Sequence, residues 1–219
     1  MHKTQTQLIK INKDIDKEIK ALNLTNYRPK IIAVSKTFSI DKIKPLIESG
    51  HNDFGENKVQ EAAEKWKNIK TKDTKLHLIG KLQTNKVKFA VDLFDYIHSL
   101  DNEKLANKIA DEQKKINKSL KLFIQVNLGM ETQKAGIEPK FVESFYKYCK
   151  DSLNLDVIGL MCLPPHGVDP KKYFKKLSEI NQSLKLNELS MGMSDDYLEA
   201  IKYRSTYLRI GSKIFGQRA

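Results

Sequence analysis

IIAVSKTFSIDKIKPLIES, residues 31–49, sets a short apolar run beside a longer amphipathic one. Ile31, Ile32 and Val34 are β-branched and the run is too short for a helical period, so residues 31–36 predict a buried strand and residues 39–49 the helix that follows. The pair recurs as DFGEN (53–57) before VQEAAEKWKNI (59–69), KLHLIG (75–80) before LQTNKVKFAVDL (82–93), and DYIHSL (95–100) before NEKLANKIADEQKKIN (102–117). It continues as LKLFIQVNL (120–128) before KFVESFYKYCKDSL (140–153), LDVIGLMCL (155–163) before KKYFKKLSEINQSL (171–184), and ELSMG (188–192) before DDYLEAIKYR (195–204). A last run, TYLRIGSKIFG (206–216), closes the series.

Strict alternation of strand and helix implies a parallel sheet, and eight strand candidates are the count of a (β/α)8 TIM-type barrel. Leu8, Ile11, Ile15, Ile19 and Leu22 form one apolar helical face, which predicts an extra N-terminal helix within residues 1–27, standing where an eighth barrel helix is missing. The whole chain, 1–219, is expected to be a single domain. A doubly wound open sheet is the alternative, weakened by the lack of a G-x-G-x-x-G turn after the first strand.

Composition excludes several classes. The N-terminal residues have no signal-peptide run and no stretch of 18 apolar residues occurs, so a cytoplasmic protein is expected. Cys149 and Cys162 lack the spacing of a disulfide framework or a zinc site and are expected to be buried thiols; no metal-ligand spacing is found. The net charge of +12 invites a nucleic-acid reading, but the surplus is spread along the chain and carried almost wholly by lysine, with only Arg28, Arg204, Arg209 and Arg218 as arginines. No nucleic-acid-binding signature accompanies it, so no specific nucleic-acid partner is expected.

In such a barrel the active site lies at the C-terminal strand ends. Those positions hold Lys36, Glu56 and Asn57, His77 and Gly80, His98, Ser194, and Arg209 followed by Gly211 and Ser212. Position alone allows Lys36 to emerge into solvent, Ser194 to cap the helix at Asp195, and Arg209 to form a surface ion pair. The two-residue period of a strand nevertheless puts Lys36 on the face of Ile32 and Val34, the barrel interior if those two line it. The loops after strands seven and eight are the barrel's habitual phosphate site, and Gly211 lets backbone N–H groups approach an anion. A phosphate site with a lysine across the mouth points to pyridoxal phosphate, with Arg209 fitting the partner of the pyridine nitrogen. His77 reads better as a satisfied interior residue than as a catalyst, and His98 more so; His51 and His166 fall in loops without evident partners.

AVSKT, HNDFGENKVQE, LHLIGKLQTNK, IQVNL, IGLMCLPP, LSMGMSDD and YLRIGSKIFGQR resemble, in order and spacing, the segments of the pyridoxal phosphate homeostasis protein family, single-domain relatives of the alanine racemase barrel. The resemblance implies Lys36 as the Schiff-base lysine, Arg209 at the pyridine nitrogen, Ser194, Gly211 and Ser212 around the phosphate, and Asn57 beside the cofactor. It also implies a monomer. Lys58, Lys81 and Arg204 depart from the family's usual residues; the first two are expected to add charge near the mouth and Arg204 to narrow or bias it.

Two functions compete: a carrier that binds the cofactor and delivers it to apo enzymes, and a weak amino-acid racemase. Racemisation needs a second base on the opposite face of the cofactor, which alanine racemases take from an additional C-terminal domain; the sequence shows none after strand eight, and no long lid segment is expected to exclude water. An arginine partner also leaves the pyridine a weaker electron sink than an aspartate would. Both arguments favour the carrier.

Overall fold

The computed structural model describes residues 1–129, 135–165 and 167–217. Eight parallel strands close into a barrel in chain order: β1 Lys30–Val34, β2 Asp53–Glu56, β3 Lys75–Leu78, β4 Tyr96–Leu100, β5 Lys121–Gln125, β6 Val157–Met161, β7 Glu188–Met193 and β8 Tyr207–Ile210. Closure is by β1 against β8, with Ile32 opposite Arg209. The helices between them are α2 Ile40–Glu48, α3 Val59–Trp66, α4 Val87–Leu93, α5 Glu103–Ile116, α6 Val142–Lys147, α7 Lys171–Ser183 and α8 Tyr197–Lys202. α1, Lys3–Ala21, precedes β1 and packs against α2 and α8 in the place expected of it. One element was not anticipated: β8 runs into a single helical turn, α9 Ser212–Phe215, which also packs on α1.

Local chemistry sets the helix ends. His2 Nδ1 accepts from the N–H of Thr4 while Gln5 Oε1 accepts from that of His2, a capping box that starts α1. Asn102 Oδ1 accepts from the N–H of Leu105 at the start of α5, and Asn117 ends it in the left-handed conformation that asparagine tolerates.

The strands divide their residues by parity. Ile31, Ala33, Phe54, Leu76, Leu78, Ile97, Leu122 and Ile124 join the layer between sheet and helices, to which α1 adds Leu8, Ile11 and Ile15. Each Leu, Ile or Phe side chain so buried stabilises the fold by about 1.5–3 kcal/mol. The opposite parity fills the interior with Ile32, Val34, Tyr96, Phe123, Met161 and Tyr207. Aromatic rings replace the usual aliphatic filling: His77 stacks on Tyr96 at 4.2 Å and His98 on Phe123 at 4.3 Å. Gly55 leaves room for the aliphatic part of the interior, since a Cβ there would meet Ile32 Cγ2 at 2.8 Å. Cys149 and Cys162 are buried free thiols, each pushed up to about 12 by burial.

Candidate functional site

A cavity of about 410 Å3 opens at the C-terminal strand ends, within the size range of small-molecule sites. Lys36, Asn57, Ser194, Arg209, Gly211 and Ser212, the six residues expected at the site, all line it. The strand ends earlier than the sequence suggests, at Val34, and Lys36 reaches the cavity from the turn two residues beyond it, beside the inward-facing Val34.

The backbone on either side of Lys36 is pinned. Lys65 Nζ donates to the carbonyl of Ser35 at 2.9 Å and to Glu56 Oε1 at 3.0 Å, and the Ser35 hydroxyl donates to the same carboxylate oxygen at 2.8 Å. Thr37 lies at φ +67°, a conformation strained for a β-branched residue, and its N–H donates to Glu61 Oε1 at 2.7 Å. Glu56 therefore faces the helix layer and not the mouth: Phe54 points outward, Gly55 inward, and Glu56 outward again, where Trp66 Nε1 also donates to it.

Arg209 is not a surface ion pair. It is 3% exposed, and its Nη1 donates to Ser190 Oγ at 2.6 Å and its Nη2 to the carbonyl of Cys162 at 2.8 Å. Burial draws its pKa down, opposed by Cys162 and Asp196. Ser194 does not cap α8, which begins two turn residues later without a side-chain cap. Its hydroxyl oxygen accepts instead from the N–H groups of Gly211 and Lys213, at 3.3 and 3.4 Å, at the start of α9. The loops after β7 and β8 are thus joined through one hydroxyl, at a helix whose existence the sequence did not signal. Gly211 has an ordinary φ, and a Cβ on it would meet Val34 no closer than 3.4 Å.

Asn57 turns away from β2 against Gly80, where a Cβ would crowd the Asn57 carbonyl oxygen and meet its Cα at 2.8 Å. Asn57 Oδ1 is buried without a hydrogen-bond partner. A buried acceptor left so costs about 1–3 kcal/mol, and one that lines a cavity suits a donor on a ligand.

Several expectations need correction. Arg204, at φ +59°, lies between α8 and β8, hence at the N-terminal strand ends, where it neighbours Tyr27 rather than the mouth. His51 has partners: its Nε2 meets the carbonyl of Asp53 at 2.9 Å and its ring packs edge-on against Phe54. His77 and His98, by contrast, are where the sequence put them, completely buried inside the barrel with hydrogen-bond partners. His166 lies outside the described residues, as do residues 130–134 of the connection between β5 and α6. Lys58 and Lys81 are exposed and follow the lining residues Asn57 and Gly80 at the mouth, without lining the cavity themselves. Among the described residues no cluster of three or more histidine, cysteine, aspartate or glutamate side chains could hold a metal ion, and no helix is long and apolar enough to cross a membrane.

Known proteins resemble this chain in sequence and fold. Relatives called pyridoxal phosphate homeostasis protein share 38% identity in Aquifex aeolicus, covering 86% of this chain and 87% of the relative, and 36% in Haemophilus influenzae, covering 98% and 95%. The structure of PipY from Synechococcus elongatus with PLP bound superposes with a TM-score of 0.81 at 32% identity, covering 91% of this chain and 99% of PipY. An alanine racemase of Clostridium difficile shares the fold alone, with a TM-score of 0.73 at 15% identity over 56% of its length. With residues 14–219 matching the family model described as alanine racemase, N-terminal domain, this chain belongs to that family.

Proposed function

We propose that this protein binds pyridoxal 5'-phosphate, holds it through Lys36 as a Schiff base, and takes part in keeping and delivering the cofactor inside the cell as a cytoplasmic monomer. The observation that carries the reading is the convergence, in one cavity, of an amine from the turn after β1, a guanidinium from β8, and the Ser194 hydroxyl with the backbone of Gly211 and Ser212. The donor set fits the group. Hydroxyl and backbone N–H donors suit phosphate oxygens, Arg209 suits a ring nitrogen that accepts, and the orphaned Oδ1 of Asn57 suits a donor.

When bound, pyridoxal phosphate supplies an aldehyde for an amine and an aromatic ring that withdraws electrons. The chain's own residues do the rest. Ser35, pinned by Glu56 and Lys65, and Thr37, pinned by Glu61, fix the backbone from which Lys36 reaches the cavity. Arg209, already donating to Ser190 and Cys162, is held in one orientation and disfavours a proton on a ring nitrogen beside it, which suits storage better than carbanion chemistry. Ser194 and the backbone at 211–213 anchor the phosphate end.

The test is borohydride reduction of the loaded protein followed by peptide mapping, together with transfer to an apo pyridoxal-phosphate enzyme and a racemase assay on L-alanine. The label is expected on Lys36, with recovery of the recipient's activity and negligible racemisation. Label mainly on other lysines would overturn the site. Rapid racemisation abolished by Lys36→Ala would replace the carrier by the racemase reading.

A further inference from the structure

Through the barrel interior runs an unbroken line of polar groups: Asp53 Oδ1 to His77 Nε2 at 3.0 Å, His77 Nδ1 to His98 Nε2 at 3.0 Å, His98 Nδ1 to Ser190 Oγ at 2.8 Å, and Ser190 Oγ to Arg209 Nη1 at 2.6 Å. It joins the first residue of β2, partly exposed at the N-terminal end of the barrel, to the guanidinium in the cavity at the other end. We propose that Asp53, acting through His77, His98 and Ser190, is a remote positioning residue for Arg209, so that a carboxylate at the far end of the barrel sets how the site holds its ligand.

The direction of every bond follows from the ends. An ionised carboxylate only accepts, so His77 Nε2 donates to Asp53. Both rings are completely buried and neutral, so each has one N–H; His77 Nδ1 must accept, His98 Nε2 must donate to it, and His98 Nδ1 must accept. The Ser190 proton then points at His98, leaving the hydroxyl's lone pairs to Arg209, which only donates. Were the line reversed, His98 Nδ1–H would point at the hydroxyl and leave its proton without that acceptor, beside a guanidinium that cannot accept. Burial raises the pKa of this carboxylate, but the hydrogen bond from His77 and the charge of Lys30 outweigh it, so the group stays ionised.

Ser190, His98, His77 and Asp53 have the order of a hydrolase relay, but Ser190 is fully buried and its oxygen already accepts from Arg209, so no substrate reaches it. Remote partners of this kind matter where they have been measured: losing one beside a metal ligand costs about 10–100-fold in affinity.

The inference rests on pyridoxal phosphate as the ligand for its affinity readout, but its first test does not. In the cofactor-free protein, 15N-histidine spectra should show both rings as Nε2–H tautomers that do not titrate between pH 6 and 8. An Nδ1–H tautomer or a cation at either ring overturns the relay. In Asp53→Asn, whose amide can donate as well as accept, Nδ1–H tautomers should appear. Cofactor affinity, followed by the visible absorbance of the bound form, should fall about tenfold in Asp53→Asn and in Ser190→Ala. Because Ser190→Ala cuts the line, the double variant should lose no more than Ser190→Ala alone; losses that multiply mean independent structural damage and overturn the proposal. Wild-type protein that binds no cofactor sinks the proposed function instead, and leaves the tautomers as the test of the line.

Discussion

Acidifying the solution from pH 7.5 to 5.5 should destabilise the fold through its interior histidines. His77 and His98 are completely buried and His51 largely so, and burial lowers all three pKa values below the ordinary 6.5, that of His98 furthest. In the unfolded chain each ring titrates near 6.5, so below that pH the unfolded state binds more protons and stability falls with pH. At pH 5.5 an unfolded ring is about 90% protonated, and each ring that stays neutral in the fold costs about 1.4 kcal/mol relative to pH 7.5. His98 alone supplies that amount and the three together up to about 4 kcal/mol, a large share of the roughly 5–15 kcal/mol typical of a domain. Asp53, whose pKa is depressed, keeps its contribution throughout this window and loses it only at lower pH. Asp196, raised by burial, works the other way and offsets part of the loss. Urea unfolding at both pH values and fixed ionic strength measures the difference. His98→Leu strands Ser190 and His77 and lowers stability at both pH values, yet it should shrink the pH-dependent part by about 1.4 kcal/mol. An unchanged pH difference in that variant would refute the assignment of the acid sensitivity to a buried neutral His98.

Three substitutions probe the mouth. Thr37→Gly removes left-handed strain worth about 1–2 kcal/mol at the cost of unfolded-chain entropy, so stability should hold or rise by up to about 1 kcal/mol in urea titrations while cofactor affinity falls. Gly80→Ala drives a Cβ into the Asn57 backbone and should destabilise by about 1–3 kcal/mol, read as a lower melting temperature. Gly211→Ala has room beside Val34 and should leave cofactor-free stability within about 0.5 kcal/mol; a drop in cofactor affinity would then show that the backbone there approaches the ligand, and unchanged affinity would move the phosphate elsewhere.

What the sequence made legible was whatever depends on period and order. Alternation gave the barrel, and the inward side of β1 pointed to the mouth that Lys36 reaches from the turn just beyond Val34. Parity could also have excluded Glu56 from the mouth, since Phe54 two positions earlier is an outward residue. Pairing across the barrel is another matter. Ser190 and His98 lie 92 positions apart, and only the register of the closed sheet brings them within hydrogen-bonding distance. The same limit hid the role of Ser194, because a serine followed by two aspartates and an amphipathic run reads as a helix start, while its true partners are N–H groups beyond β8. Lys65 and Glu61 sit among many surface-type charges on an amphipathic helix and carry no local signal that they grip the backbone around Lys36.

The packing of α1 on α8 and α9 bears on how the chain is made. Tyr207, which opens the strand that closes the barrel, lies 186 positions beyond Ala21. At about 5–20 residues per second, a ribosome makes β8 roughly 10–40 s after α1. Throughout that interval Leu8, Ile11 and Ile15 have emerged without α8 and α9 to cover them, and β1 has an edge without its β8 partner. The nascent chain therefore presents an amphipathic helix and an open strand edge to whatever binds such surfaces at the ribosome, and a pause in translation before residue 207 lengthens that exposure.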